Sequence, residues 1–157
     1  MKIYLAGSCS SEQRTIMVKV AQYIRQMDYN IELYCPFELK IPNAWNYSQE
    51  KWAELVFDSD KKAIDECDLF LMISQGRISS AGTNWEQGYA YAKGKYVAVI
   101  QCTDQPTSLM TFCGCARFEN TSTKIEDIIK CVDSVIGVFS IEPNPLEFGW
   151  SCSTLLT

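Results

Sequence analysis

Strands and helices alternate along this chain, and that alternation constrains the fold more than any single motif does. Apolar runs at residues 2–6, 31–35, 68–74 and 96–101 read as strands, with a further short one expected near 116–118. Between them lie stretches at helical spacing. Ile16, Val20, Ala21 and Ile24 follow Ser10-Ser11-Glu12-Gln13, which has capping-box spacing. A long amphipathic stretch covers 49–67, and further helices are expected over 84–93 and 125–136. Residues 42–47, around Trp45, and the segment through Pro106 read as loops. Such alternation dictates a parallel sheet with helices on both faces. The expectation is one α/β domain over residues 1–157, with a mostly parallel sheet of four or five strands. The tail over 138–157 is left unassigned by the pattern.

Composition enters through what it excludes. The chain has no histidine, so every mechanism that needs an imidazole base or ligand is ruled out. A net charge of −5 argues against a polynucleotide partner, which needs many Lys and Arg contacts, but not against a small anion. No apolar run approaches the roughly 18 residues of a membrane span, and no signal peptide precedes the first strand, so the cytoplasm is the expected location. The eight cysteines are scattered, and only Cys113 and Cys115 are close. A lone C-x-C is a weak zinc signal, and Cys35, Cys67, Cys102 and Cys131 sit in apolar stretches that suit structural thiols.

Chemistry concentrates in residues 82–94, GTNWEQGYAYAKG, which follow the third strand and a small polar loop. Glu86 is expected in the first turn of the helix that starts here, where exposed N–H groups stabilise a carboxylate anion by about 0.3–1 kcal/mol. An ionised nucleophile at the carboxyl edge of a sheet is one reading; simple complementation of the helix dipole is the other. In the preceding helix Trp52, Val56, Ile64 and Cys67 form an apolar stripe, and Asp60 lies on it. Either Asp60 pairs with Lys61 or Arg14 at the rim, or it is a second acid beside Glu86. Two carboxylates in unlike environments are the usual equipment for cleaving a glycosidic bond. The loop from Gly7 and Ser8 to Ser11, with Arg14 one turn on, offers donors for an anion, as do Ser79, Ser80 and Gly82 before the Glu86 helix. A Ser-rich N-cap is also just a cap. The aromatic residues Tyr4, Trp45, Trp85 and Tyr89 flank these loops, as base-stacking rings or as core, and the loop around Trp45 is expected to decide base choice.

Together these residues give a chain that resembles the nucleoside 2-deoxyribosyltransferase family, a Rossmann-like or flavodoxin-like group of N-glycosidic-bond enzymes. The matching pieces are Tyr4-Leu5-Ala6-Gly7-Ser8, the Asp60 helix, Asp68 opening the third strand, GTNWEQGYAYAKGKYV, and Pro106-Thr107-Ser108-Leu109-Met110. The likeness runs from residue 3 to about 118 and is most specific at 80–97. It implies that Glu86 attacks the anomeric carbon, that Asp60 is the companion acid, and that Tyr4 is an active-site aromatic. Transferases of the family carry an aspartate six residues before the nucleophile, where this chain has Ser80. They also have an asparagine, donated by a neighbouring subunit, where this chain has Ser108. Both serines resemble the branch of nucleoside 5′-monophosphate N-hydrolases, in which they bind phosphate; Ser8 and Arg14 would complete that cradle. The resemblance therefore implies a homo-oligomer with shared sites, a small-molecule nucleotide or nucleoside as partner, and no metal or organic cofactor. Base exchange between deoxynucleosides and non-catalytic nucleotide sensing are the alternatives. A dehydrogenase is disfavoured, because the G-x-G-x-x-G fingerprint is absent.

Overall fold

The computed structural model describes residues 1–27 and 30–141. In chain order the elements are β1 (Lys2–Gly7), α1 (Ser11–Gln26), β2 (Glu32–Tyr34), α2 (Gln49–Glu66), β3 (Leu69–Ser74), α3 (Ala81–Ala92), β4 (Tyr96–Gln101), α4 (Leu109–Cys113), β5 (Arg117–Asn120) and α5 (Ile125–Ile141). Single 3-10 turns occur at Pro36–Glu38, Ala44–Asn46 and Gly76–Ile78. The five strands form one sheet in the order β2-β1-β3-β4-β5, and every pairing is parallel. That is the flavodoxin-like winding, whose order reverses between β1 and β3 and leaves a crevice at the carboxyl ends of those strands.

Alternation along the strands splits the core in two. Ile3, Leu5, Leu69, Leu71, Ile73, Ala98 and Ile100 face α1 and α5, where Val20, Ala21, Ile24, Val132 and Ile136 are fully buried. Tyr4, Ala6, Phe70, Met72, Val97 and Val99 face α2 and α3, which contribute Ile64 and Ala90. β3 and β4 are buried at every position, as central strands covered on both faces must be. The Asp68 carboxylate accepts from the Lys2 backbone N–H at 2.7 Å, which closes the start of the β1–β3 ladder. The Lys95 ammonium donates to the carbonyls of Asp65 (2.7 Å) and Cys67 (3.0 Å) and so satisfies the C-terminal end of α2.

Several expectations need correction. Ser10 is the N-cap of α1, but its side chain makes no capping hydrogen bond, so the capping box does not form. α3 begins at Ala81, three residues earlier than expected. Gly82 and Thr83 are poor helix formers, yet the Ser80 hydroxyl accepts from the Thr83 N–H at 3.1 Å and fixes the start. Glu86 therefore lies in the second turn, and no acidic residue occupies the first. The segment after Pro106 contains the short helix α4, and the last helix runs on to Ile141. The remainder of the tail, including Cys152, lies outside the described residues. Cys35, Cys67, Cys102 and Cys115 are buried free thiols; burial pushes Cys35 and Cys115 up to about 12 and Cys67 to about 11.

Candidate active site

Two loops leave the carboxyl edge of the sheet on either side of the reversal point: residues 8–10 after β1 and residues 75–80 after β3. Gly7 ends β1 opposite Ile73, and a Cβ on it would meet the Met17 sulfur at 2.4 Å. The glycine lets that side chain lie against the strand end beneath the first loop. In that loop the Ser8 hydroxyl accepts from the Ser10 N–H at 3.3 Å. The second loop is wired to its surroundings. The Ser74 and Ser79 hydroxyls are 3.1 Å apart, and the Gln75 N–H donates to Ser79 Oγ at 3.2 Å. Gly76 has a φ of +70°, and a Cβ there would come within 2.9 Å of the Gln105 carbonyl, so a side chain is excluded. The Gln101 amide donates to that same carbonyl at 3.0 Å, which braces the loop from β4.

Asp60 and Glu86 line one cleft of about 390 Å³ between α2 and α3. The other lining residues are Trp52, Ala53, Val56 and Phe57 from α2, and Gly82 and Trp85 from α3. The apolar stripe of α2 thus divides: Ile64 and Cys67 enter the core, whereas Trp52 and Val56 face the cleft with Asp60. The rim pairing of Asp60 with Lys61 or Arg14 does not occur; Lys61 pairs with Asp65 at 3.5 Å. Asp60 instead accepts from the Tyr34 hydroxyl at 2.8 Å. Tyr34 stacks on Tyr4 with ring centroids 5.3 Å apart, and Tyr4 stacks on Phe70 at 5.2 Å. The Tyr4 hydroxyl is fully buried and completes no hydrogen bond, although it lies near enough to Glu86 to interact with it.

The electrostatics reverse the expectation for Glu86. Burial, and then the neighbouring Asp60 charge, push its carboxyl up to about 7, while the Tyr4 hydroxyl pulls the other way. The helix-end argument for a readily ionised Glu86 fails, because the residue sits one turn too deep. Burial also raises Asp60, opposed by the Tyr34 hydrogen bond, which favours its anion. Tyr4 is raised first by burial and then by the Glu86 and Asp60 charges. Partial burial lifts the Cys9 thiol, Glu86 adds to that, Arg14 opposes it, and Asp60 contributes last. Cys9 in the β1 loop therefore lies within electrostatic reach of the acids, and the exposed Arg14 at the start of α1 within reach of Cys9.

Of the residues singled out from sequence, Asp60, Gly82 and Glu86 line this cleft and Tyr4 lies beside Glu86; Gly7 ends β1, Ser8 is in the loop after it, Arg14 is exposed on α1 and Ser80 caps α3. Ser108 does not line the cleft. It opens α4 and lines a second groove of about 460 Å³, with Asn84, Gln87, Gly88, Tyr91, Met110, Thr111, Cys113 and Gly114, on the other flank of α3. Trp45 is 86% exposed and is no part of the cleft wall. Sequence reasoning missed Tyr34, whose signal was its place at the end of β2 opposite Tyr4. It also missed Phe57 as a cleft wall, and placed Trp52 and Val56 on the apolar stripe of α2 without separating them from Ile64 and Cys67. Among the described residues, no group of three or more Cys, Asp or Glu side chains is placed to hold a metal ion, and no helix is long and apolar enough to cross a membrane.

Comparison with known proteins bears on the family and the fold. The family model of nucleoside 2-deoxyribosyltransferases matches residues 3–136. A 2-deoxyribosyltransferase from Bacillus psychrosaccharolyticus is 30% identical, with a TM-score of 0.68 over 82% of this chain and 90% of that one. A conserved protein from Enterococcus faecalis V583 is 24% identical, with a TM-score of 0.67 over 86% and 98% of the two chains. The CMP N-glycosidase BcmB of Clostridium botulinum is 16% identical, with a TM-score of 0.61 over 85% and 99%. The last two likenesses bear on fold alone. No curated protein sequence matches the chain.

Proposed function

The chain belongs to the nucleoside 2-deoxyribosyltransferase family, and from that membership we propose that it hydrolyses the N-glycosidic bond of nucleoside 5′-monophosphates. The observation that carries the reading is the convergence of Glu86 and Asp60, from two different helices, on one cleft at the β1/β3 reversal. Ionised Glu86 attacks C1′; the C1′–N bond breaks, its electron pair leaves with the base, and the base takes up a proton. Water then adds to C1′ of the sugar–Glu86 ester, frees the carboxylate and gives the sugar 5-phosphate. Asp60, held by Tyr34, orients the sugar and base edge, and its charge raises the energy of resting Glu86. Attack relieves that repulsion, because the ester is neutral. The whole chain, residues 1–157, is taken as one such domain.

Ser8, Arg14 and Ser80 are assigned to the phosphate, together with Ser108 from a second copy of the chain. Ser80 is already engaged with Thr83, through the backbone N–H at 3.1 Å and the hydroxyl at 2.6 Å. When Thr83 donates in both, the Ser80 O–H proton is free for a phosphate oxygen, so capping and binding are compatible. An aspartate there would repel the phosphate. A second reading, base exchange between deoxynucleosides, is favoured by the 30% identity to a 2-deoxyribosyltransferase.

The experiment is incubation with nucleosides and their 5′-monophosphates, with and without an added acceptor base, followed by chromatography. Free base from monophosphates alone supports hydrolysis. Exchange with unphosphorylated deoxynucleosides would replace it with transfer.

A further inference from the structure

The carboxyl end of β4 carries a buried polar side chain that the reaction described above does not use. Gln101 is the last residue of β4, stands opposite Ser74 of β3 and is 5% exposed. Its amide donates to the Thr103 carbonyl at 3.3 Å and to the Gln105 carbonyl at 3.0 Å. Both partners are acceptors, which fixes the orientation of the amide, and its Oε1 then completes no hydrogen bond. Two other buried side-chain polar atoms among the described residues share that condition, the Tyr4 hydroxyl and Thr107 Oγ1, and Thr107 lies on the same loop beside Ser108. A buried amide with an idle acceptor costs stability that an apolar side chain would not, so its use lies in what its two donors hold.

What they hold is a junction between two loops. The Pro106 carbonyl accepts from the Arg77 N–H at 3.1 Å, and the Ser74 carbonyl accepts from the Cys102 N–H at 2.9 Å. The Gln105 and Pro106 carbonyls lie against Gly76, 2.9 and 3.1 Å from where a Cβ would stand. The β4–α4 loop is thus seated on the turn that follows β3. Each loop ends in a helix cap: Ser80 opens α3 soon after Gly76, and Ser108 opens α4 soon after Pro106.

We propose that Gln101 is a positioning residue for the 5′ group of the substrate. By clasping the Thr103 and Gln105 carbonyls it keeps the two loops in register and so sets where the Ser80 and Ser108 hydroxyls stand. The inference rests on the functional reading only in assigning those two serines to the 5′ group, be it phosphate or hydroxyl. Because Ser108 is assigned to the site of a second copy, one amide then serves two sites.

The test is titration calorimetry on the Glu86→Gln protein, which binds without turnover, with 2′-deoxyadenosine 5′-monophosphate, 2′-deoxyadenosine and 2′,5′-dideoxyadenosine. The expected order of affinity runs from the monophosphate down to the dideoxynucleoside. Gln101→Met keeps the length of the side chain without its donors. It should cut the advantage of the monophosphate over the dideoxynucleoside by roughly tenfold or more, the worth of hydrogen bonds to a charged group. The Kd of the dideoxynucleoside itself should move by less than about twofold. The melting temperature should stay close to the parent's, since Gln105 is exposed and its freed carbonyl turns to water. Gly76→Ala presses on the same junction from the other side, so it should give the same selective loss, and the double variant little more than either alone. An unchanged ratio in Gln101→Met, an equal loss across the three ligands, or losses that multiply in the double variant overturns the proposal. A parent that binds deoxyadenosine more tightly than its monophosphate sinks the phosphate reading alone; there, a hydroxyl advantage that survives Gln101→Met overturns the proposal, and one that is lost upholds it. A parent blind to the 5′ group overturns both.

Discussion

The Glu86 carboxyl carries opposed demands, since ionisation is what it needs to attack and what its surroundings resist. With its pKa pushed up to about 7 by burial and the Asp60 charge, kcat/KM should rise as pH increases through about 7 and level off above it. Stability should run in the opposite direction. A carboxyl raised in the fold binds its proton more tightly than in the unfolded chain, so its contribution is complete below about 4.5 and is lost as pH climbs through about 7. At pH 8 the Glu86→Gln protein should therefore be inactive and more stable, by on the order of 2–3 kcal/mol, a gain that fades towards pH 5. Thermal melts at the two pH values check it; equal melting points would deny the strain. Tyr34 offers a second test at this scale. Tyr34→Phe removes the donor 2.8 Å from Asp60, so the Asp60 titration, followed by carboxyl-carbon NMR, should move to higher pH with the far-UV spectrum unchanged. An unmoved titration would show that the phenol does not hold the acid.

At the scale of elements, the N-terminus of α3 joins fold to specificity through one hydroxyl. Ser80→Ala should lower Tm by about 3–5 °C through loss of the cap. Ser80→Asp keeps an equally good cap, so its Tm should stay close to the parent's while its KM for a 5′-monophosphate rises at least tenfold. A KM that stays put would remove Ser80 from the phosphate site. This helix also marks how far the sequence could be read. Both central strands were legible because each is an apolar run up to its last residue, Ser74 or Gln101, and the four longer helices because they fill the stretches between such runs. The start of α3 was misplaced because Gly82 and Thr83 argue against helix, while the cap that overrules them is a single side-chain contact. Glu86 and Asp60 were legible as candidates, but the charge state of Glu86 was not, since burial and then the Asp60 charge set it, and both follow from the packing of α2 against α3. Tyr34 was invisible as a partner for Asp60, 26 residues away, until β2 paired with β1 and brought its ring onto Tyr4.

Across the whole molecule, the two flanks of α3 hold different parts of the proposed machinery. The acids lie in the groove towards α2 and Ser108 in the groove towards α4, where Leu109 and Met110 are 80% and 81% exposed. If one copy supplies Ser108 to another, neither Glu86→Gln nor Ser108→Asp protein should turn over nucleotide alone, and an exchanged mixture should regain activity. For a dimer mixed in equal parts, about a quarter of the sites combine two native halves. No recovery on mixing would place each site within one chain. The division of α2 has a consequence of another kind. Its last turns, around Ile64, are sealed into the core and tethered by Lys95, whereas Trp52, Ala53, Val56 and Phe57 touch the cleft and little else. Mutations in that outer half can therefore be sampled at small cost in folding, and the enzyme's substrate range is free to drift while its scaffold stays put.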